Sequence, residues 1–201
     1  MSAARIPRLK DFVLEFAANS AGPALLFFLR AAQRSSNKRQ LKKCTRVGER
    51  VVAGYGLEVD NSGSISVGDD VSISCRALLS CYSGGAINIA RNCFFGDNVK
   101  VVSERASISI GEDCLIAENV SIRASNHGIR AGTLIRLQQN VVADITIGKD
   151  VWIGCGTTVL AGALIADGCV IGANSVVRGV TEPNAIYAGS PIQKIGHRAN
   201  K

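Results

Sequence analysis

The chain has 201 residues, of which 47% are hydrophobic, 19% are charged and only 5% are aromatic. This length suits one domain with a small appendage, and the composition, with 21 glycines, excludes a disordered chain and favours a β-rich body with many tight turns. The net charge of +7 comes entirely from residues 1–50, which carry eleven Lys and Arg against three Asp and Glu, whereas residues 51–201 carry twelve against thirteen. The body is therefore not basic, and no nucleic-acid partner is expected.

The N-terminal part, residues 1–50, is predicted to be a helical and basic segment separate from the body. Within residues 8–34, Phe12, Val13 and Phe16 lie on one helical stripe, and Gly22-Pro23 breaks or kinks the pattern. Two hypotheses remain open for this segment. It either caps the open end of the body or contacts another subunit, or it lies peripherally at the inner face of a membrane with its basic flank outward.

The same segment and the cysteines bear on localisation. The apolar run at residues 24–29 is too short to span a bilayer, and Asp11 and Glu15 ahead of it argue against a signal peptide. The seven cysteines are odd in number and contain no C-x-x-C pair, which argues against a disulfide or zinc framework. We therefore predict a cytoplasmic protein.

The body, residues 51–185, follows a six-residue repeat. An aliphatic or aromatic anchor recurs at every sixth position, often followed by Gly, and a small or β-branched residue stands four places after it. The clearest anchors are Val67, Ile73, Leu79, Phe95, Val101, Ile110, Ile116, Ile122, Ile147, Ile153, Val159, Ile165, Ile171 and Val177. This period suits neither an α-helix nor a free strand, but it suits a short strand plus a corner, three of which form a triangular coil.

Counting by eighteen predicts about five coils across residues 65–182, interrupted briefly near residues 83–88 and by an insertion at residues 128–146. Stacked coils of this kind form a mainly β, parallel β-helix. Anchors and small residues both point inward, so Cys93, Cys114 and Cys169 are predicted to be compact buried hydrophobes. Residues 186–201 are predicted to form a C-terminal tail.

The strongest candidate for chemistry is His127, one of only two histidines, because it stands at the entrance of the insertion. Long loops in compact repeats are usually functional or mobile, and an imidazole suits a base that works near neutral pH. By itself, a histidine in such a place is more often a polar surface residue. His197 lies in the basic tail and is assigned no role.

Three stretches add a resemblance to this pattern: residues 115–127 (LIAENVSIRASNH), 147–154 (IGKDVWIG) and 186–191 (IYAGSP). Together with the repeat they resemble the hexapeptide-repeat acetyltransferases, a family that contains galactoside, maltose and polysaccharide O-acetyltransferases. The resemblance covers about residues 60–198. It implies a left-handed β-helix, acetyl-CoA as co-substrate with no metal, and a homotrimer with sites between the β-helices of neighbouring subunits.

The resemblance also implies roles for individual residues. His127 matches the general base, which Asn126 would orient unless it merely caps a turn. Trp152 is expected to point outward and matches a residue at the acetyl end of the CoA tunnel, with packing in the trimer as the alternative. The backbone at Cys155 would meet the thioester, and a covalent relay through its thiol is the alternative to that passive role. The further candidates for CoA binding are Gly154, Ala173, Arg178, Lys194 and Arg198, and those for acceptor binding are Asp97 and Glu104.

These observations predict an acetyl-CoA-dependent O-acetyltransferase that acts by direct transfer on a sugar or polysaccharide hydroxyl. Two alternatives stay open, namely an N-acetyltransferase of an amino-sugar nucleotide and a non-catalytic β-helix scaffold. A small-molecule or glycan acceptor is expected, and nothing in the sequence identifies a particular sugar.

Overall fold

A computed structural model describes residues 36–199 of the chain. Residues 36–41 are helical, and no helix in the described stretch is both long and apolar enough to cross a membrane. The helices predicted within residues 8–34 lie outside the described residues, so the hypotheses about them stay predictions.

All but two of the strands in residues 46–197 form three faces of a parallel β-helix. The first face comprises β1 (Arg46–Val47), β4 (Ser64–Val67), β7 (Ala86–Ile89), β10 (Ser107–Ile110), β15 (Ile145–Ile147) and β18 (Leu164–Ile165). The second comprises β2 (Val52–Ala53), β5 (Ser72–Ile73), β8 (Phe94–Phe95), β11 (Leu115–Ile116), β16 (Trp152–Ile153), β19 (Val170–Ile171), β21 (Ala185–Ala188) and β22 (Gln193–His197). The third comprises β3 (Glu58–Asn61), β6 (Leu78–Tyr82), β9 (Lys100–Glu104), β12 (Ser121–Arg123), β17 (Thr158–Val159) and β20 (Val176–Val177).

The predicted fold class is confirmed, with six coils rather than about five, because the first and third faces each hold six strands. The additional coil is the N-terminal one, which begins with β1 inside the segment predicted to precede the body. Its anchors are less regular, since Val47 is exposed and Ala53 is small, and only Val59 is deeply buried. An end coil packs against one neighbouring coil only, so large apolar side chains at its inward positions are needed less than in the coils between.

The core consists of the repeat residues themselves. Every predicted anchor from Val67 to Val177 is buried, and the predicted burial of Cys93, Cys114 and Cys169 is confirmed. The hydrogen bond with the Cys93 side chain, together with burial, raises the pKa of the Cys114 thiol. At the corners, Gly156 and Asn174 adopt positive φ angles of 69° and 54°, which these residue types tolerate best.

All departures from the eighteen-residue coil occur at one corner, between the third and first faces, which we call the insertion corner. Anchors on the first, second and third faces stay six apart in every coil, as in Ile110, Ile116 and Ile122. The return from the third face to the next first face takes a varying number of residues. The insertion lies at this corner. β13 (Ser125–Asn126) precedes it, and it contains a short 3-10 helix (Ile135–Leu137) and β14 (Val141–Val142).

The two ends of the sheets are closed in different ways. At the N-terminal end, Gln40 and Lys43 satisfy the backbone of the edge residue Val59, whose N–H donates to Gln40 Oε1 and whose carbonyl accepts from Lys43 Nζ. At the other end, part of the predicted tail forms β22, which pairs antiparallel with β21. The hexapeptide pattern did not indicate β22, because that pattern describes only parallel stacking.

Candidate active site

His127 lies at the insertion corner, directly after β13, and is exposed. β13 pairs antiparallel with β14, so that Asn126 lies opposite Val141 and Ser125 opposite Val142. The insertion therefore leaves and re-enters the β-helix as a hairpin, and strand pairing holds the backbone immediately before His127. Asn126 is exposed and its side chain has no hydrogen bond within residues 36–199, so its proposed orienting role stays a prediction.

The rest of the insertion is folded on itself. The side chain of Gln138 accepts from the Arg130 N–H (2.7 Å) and donates to the carbonyls of Arg130 and Thr133 (both 2.9 Å). A Cβ at Gly128 would lie only 2.8 Å from the Gln139 carbonyl, so glycine is required for this close approach. The insertion also exposes five large apolar side chains, those of Ile129, Leu134, Ile135, Leu137 and Val141.

Trp152 points outward from the second face with 52% of its surface exposed, as its register predicts. It pairs in register with Leu115, which in turn pairs with Phe94, and all three are exposed. The corresponding outward column of the third face consists of Lys100, Ser121 and Thr158. The second face therefore presents an apolar column, whereas the third is polar.

Gly154, Cys155 and Ala173 lie at the corner between the second and third faces. Any Cβ at Gly154 would come within 2.6 Å of the Ala173 nitrogen, so this stack leaves no space for a side chain. The Cys155 carbonyl accepts from Asn174 (2.8 Å), but the N–H of Cys155 donates to no acceptor among the described residues. The equivalent N–H three coils earlier, that of Cys75, donates to Asp97 in the next coil, whereas Ala173, at the corresponding position above Cys155, has no side-chain acceptor.

Asp97 has a structural role that accounts for its position. Its Oδ1 accepts from the Cys75 N–H of the preceding coil (3.0 Å), as Asp69 does for Glu49 (2.7 Å) and Asp167 does for Lys149 (2.9 Å). These three aspartates therefore cap backbone groups between stacked corners. Its acceptor-binding role stays a prediction beside this one.

We expect Asp97→Ala and Asp69→Ala to lower the free energy of unfolding by a similar amount, about 1–2 kcal/mol, because each removes the acceptor of one backbone N–H. Chemical denaturation measures this directly. A KM for the acceptor that is unchanged in both variants would leave Asp97 with the capping role alone. A raised acceptor KM in Asp97→Ala alone would show that Asp97 also binds the acceptor.

The cationic candidates differ in their surroundings. Arg178 follows β20 at the insertion corner, is exposed and has no ion pair within the described part of the chain. Lys194 pairs with Glu182 (2.6 Å) and lowers the pKa of that carboxyl group, mainly through the side-chain hydrogen bond. Arg198 pairs with Asp150 (2.7 Å) and donates to the Gly168 carbonyl. Two of the three cationic candidates for CoA binding are thus already paired with acidic side chains of their own chain.

The structure divides the predicted residues between different edges of one β-helix. His127, Asn126, Glu104 and Arg178 share the insertion corner, whereas Asp97, Gly154, Cys155 and Ala173 share the next corner, across the third face. Trp152 and Lys194 lie on the second face. Sequence reasoning missed Tyr82, Arg105 and Asn140, which surround Glu104, because the residues of the insertion corner follow no repeat.

Comparison with known proteins gives two family models and several relatives. The model described as "Bacterial transferase hexapeptide (six repeats)" matches residues 144–179, and that described as "Hexapeptide repeat of succinyl-transferase" matches residues 87–124. The chain is 36% identical over 155 residues to Escherichia coli K12 WbbJ, named as a lipopolysaccharide biosynthesis O-acetyl transferase, covering 69% of this chain and 76% of WbbJ. It is 35% identical to the E. coli galactoside O-acetyltransferase over 56% of this chain and 54% of that enzyme.

Among solved structures, the fold is similar to that of AntD, an N-acyltransferase from Bacillus cereus in complex with dTDP and 3-hydroxybutyryl-CoA. The TM-score is 0.73 with 20% sequence identity, and the match covers 82% of this chain and 88% of AntD. This likeness shows a shared fold.

Proposed function

The chain belongs to the hexapeptide-repeat acetyltransferase family, and on this basis we propose that it transfers an acetyl group from acetyl-CoA to a hydroxyl of a sugar or polysaccharide. The observation that carries the proposal is the place of His127, exposed and held by a strand pair at the entrance of the insertion. The similarity to WbbJ and to the galactoside enzyme, both named as O-acetyl transferases, supports a hydroxyl acceptor.

In the proposed reaction, the His127 imidazole takes the proton of the acceptor hydroxyl while its oxygen attacks the thioester carbonyl carbon. The tetrahedral intermediate carries an oxyanion, for which the N–H of Cys155 is the suitable donor, since it has no acceptor among the described residues. The C–S bond then breaks, and the imidazolium returns the proton to the leaving thiolate of CoA. The thioester is already activated, so neither a metal ion nor a covalent relay through the Cys155 thiol is needed.

We further propose that the site forms between two copies of the chain in a homotrimer. His127 and the Trp152–Cys155 region lie on different edges of one β-helix, so a single copy does not place the base beside the predicted CoA residues. Two exposed apolar surfaces are available for the contact, namely the outward column of the second face and the apolar side chains of the insertion.

Co-expression of His127→Ala and Trp152→Ala chains tests this arrangement. Each variant alone is expected to lose most of its turnover, and mixed trimers are expected to regain activity, since about one interface in four combines both intact side chains. Thiol release from acetyl-CoA measures turnover, and light scattering measures the trimer. A mixture no more active than the two separate variants would show that both residues serve the same copy.

An amine acceptor is the second candidate, because AntD combines this fold with N-acyl transfer. A deprotonating base serves an amine as well as a hydroxyl, so the geometry of His127 is compatible with both. Screening thiol release across sugars, glycans and amino sugars separates them, and we expect turnover with hydroxyl acceptors. Turnover confined to amino sugars would replace the O-acetyltransferase proposal, and failure to bind acetyl-CoA in calorimetry would favour a scaffold.

A further inference from the structure

Glu104, predicted from the sequence to bind the acceptor, is engaged by the insertion in this structure. Its side chain is only 12% exposed, although it lies at the surface end of β9. Its Oε2 accepts a hydrogen bond from Asn140 Nδ2 at 2.7 Å and one from the Tyr82 hydroxyl at 3.4 Å. Arg105, the next residue, donates from its guanidinium to the Asn140 carbonyl at 3.2 Å. Both ends of the Asn140 residue are therefore held by one corner of the third coil.

A strand pair and its two neighbouring residues connect the contact between Glu104 and Asn140 to His127. Asn140 directly precedes Val141, Val141 pairs with Asn126 in the hairpin, and Asn126 directly precedes His127. The hairpin has only two residues in each strand, and isolated hairpins of this size are marginal in water. The returning strand therefore depends on contacts outside the hairpin, and Asn140 supplies one immediately beside it.

We propose that Glu104 and Asn140 form a clamp that fixes the hairpin and thereby positions His127 for catalysis. The inference rests on the proposed function, in which His127 is the base, and it makes Glu104 and Asn140 positioning residues. A hydrogen bond to a largely buried carboxylate is stronger than one between neutral groups. Glu104 Oε1 pairs with the Arg105 guanidinium at 3.4 Å, so without Asn140 the Oε2 atom would keep only the 3.4 Å hydrogen bond from Tyr82. The carboxylate of Glu104 therefore favours the state in which the hairpin is closed on the third coil.

Swapping the acid and the amide between positions 104 and 140 tests the clamp. Asn140→Asp places a second carboxylate against Glu104, and we expect kcat to fall by about tenfold to a hundredfold while the KM for acetyl-CoA is unchanged. Backbone amides of residues 126–142 should exchange with deuterium faster. The double variant Glu104→Gln with Asn140→Asp restores an amide–carboxylate hydrogen bond with the roles reversed. Both kcat and the rate of amide deuterium exchange should therefore return toward wild type.

The matched control is Gln139→Glu, which adds the same charge one residue earlier at an exposed position and should leave kcat and exchange near wild type. Faster exchange in Asn140→Asp that the double variant does not reverse would overturn the clamp, as would unchanged exchange and unchanged kcat in Asn140→Asp. If exchange behaves as expected but His127→Ala retains turnover, the clamp exists and the role of His127 as the base is wrong. The exchange measurement thus separates the two failures.

Discussion

Replacing His127 by Ala is expected to reduce acetyl-CoA-dependent turnover by about two to four orders of magnitude, the usual contribution of a general base. His127 is exposed at the insertion corner, so removing its ring leaves no cavity in the core. The β-helix and the proposed trimer should therefore persist. Thiol release under saturating acetyl-CoA measures the effect, and circular dichroism and light scattering report the fold and assembly.

The matched control for this experiment is His197→Ala, because His197 is the other histidine, is also exposed and lies in β22 on a different face. Its replacement should leave turnover within a factor of about two, as expected for a surface substitution. Turnover retained in His127→Ala would remove the base from the mechanism. An equal loss in both variants would point to a general effect of histidine removal on the protein.

Replacing Ile165 by Ala is expected to destabilise the β-helix by about 2–5 kcal/mol, because its side chain is 0% exposed and the stacked anchors around it relax only partly into the cavity. Leu164→Ala is the matched control, since it removes a side chain of the same size from the adjacent, outward position of β18. We expect that control to cost less than about 1 kcal/mol. The shift of the denaturation midpoint in urea measures both, and similar losses in the two variants would contradict the inward assignment of Ile165.

Sequence reasoning located the coils wherever the repeat is regular, because inward and outward positions alternate over only a few residues. From Val67 to Val177 each anchor is buried as predicted, and so are the small residues such as Cys93 and Cys114. The pattern failed at the two ends. The N-terminal coil has small or exposed anchors, and β22 joins the second face antiparallel, outside any six-residue register.

For the candidate site, the sequence identified His127 and the outward direction of Trp152, but it could not show which predicted residues are neighbours. Asp97 illustrates the difference, because an outward acid on a β-helix looks the same whether it binds a ligand or caps a backbone group. The hydrogen bond from the Cys75 N–H gives it a structural role. Lys194 and Arg198 likewise proved to be paired with Glu182 and Asp150.

The sequence by itself determined the parallel β-helix, its buried cysteines and the position of the one long insertion, since all of these follow from a local period of six. Only the tertiary structure decided that every insertion falls at a single corner, that His127 and Cys155 occupy different edges, and that Asn140 reaches Glu104 across 36 residues of sequence. The physical reason is stacking. Residues of different coils become neighbours through the lengths of the loops between them, and these lengths follow no repeat.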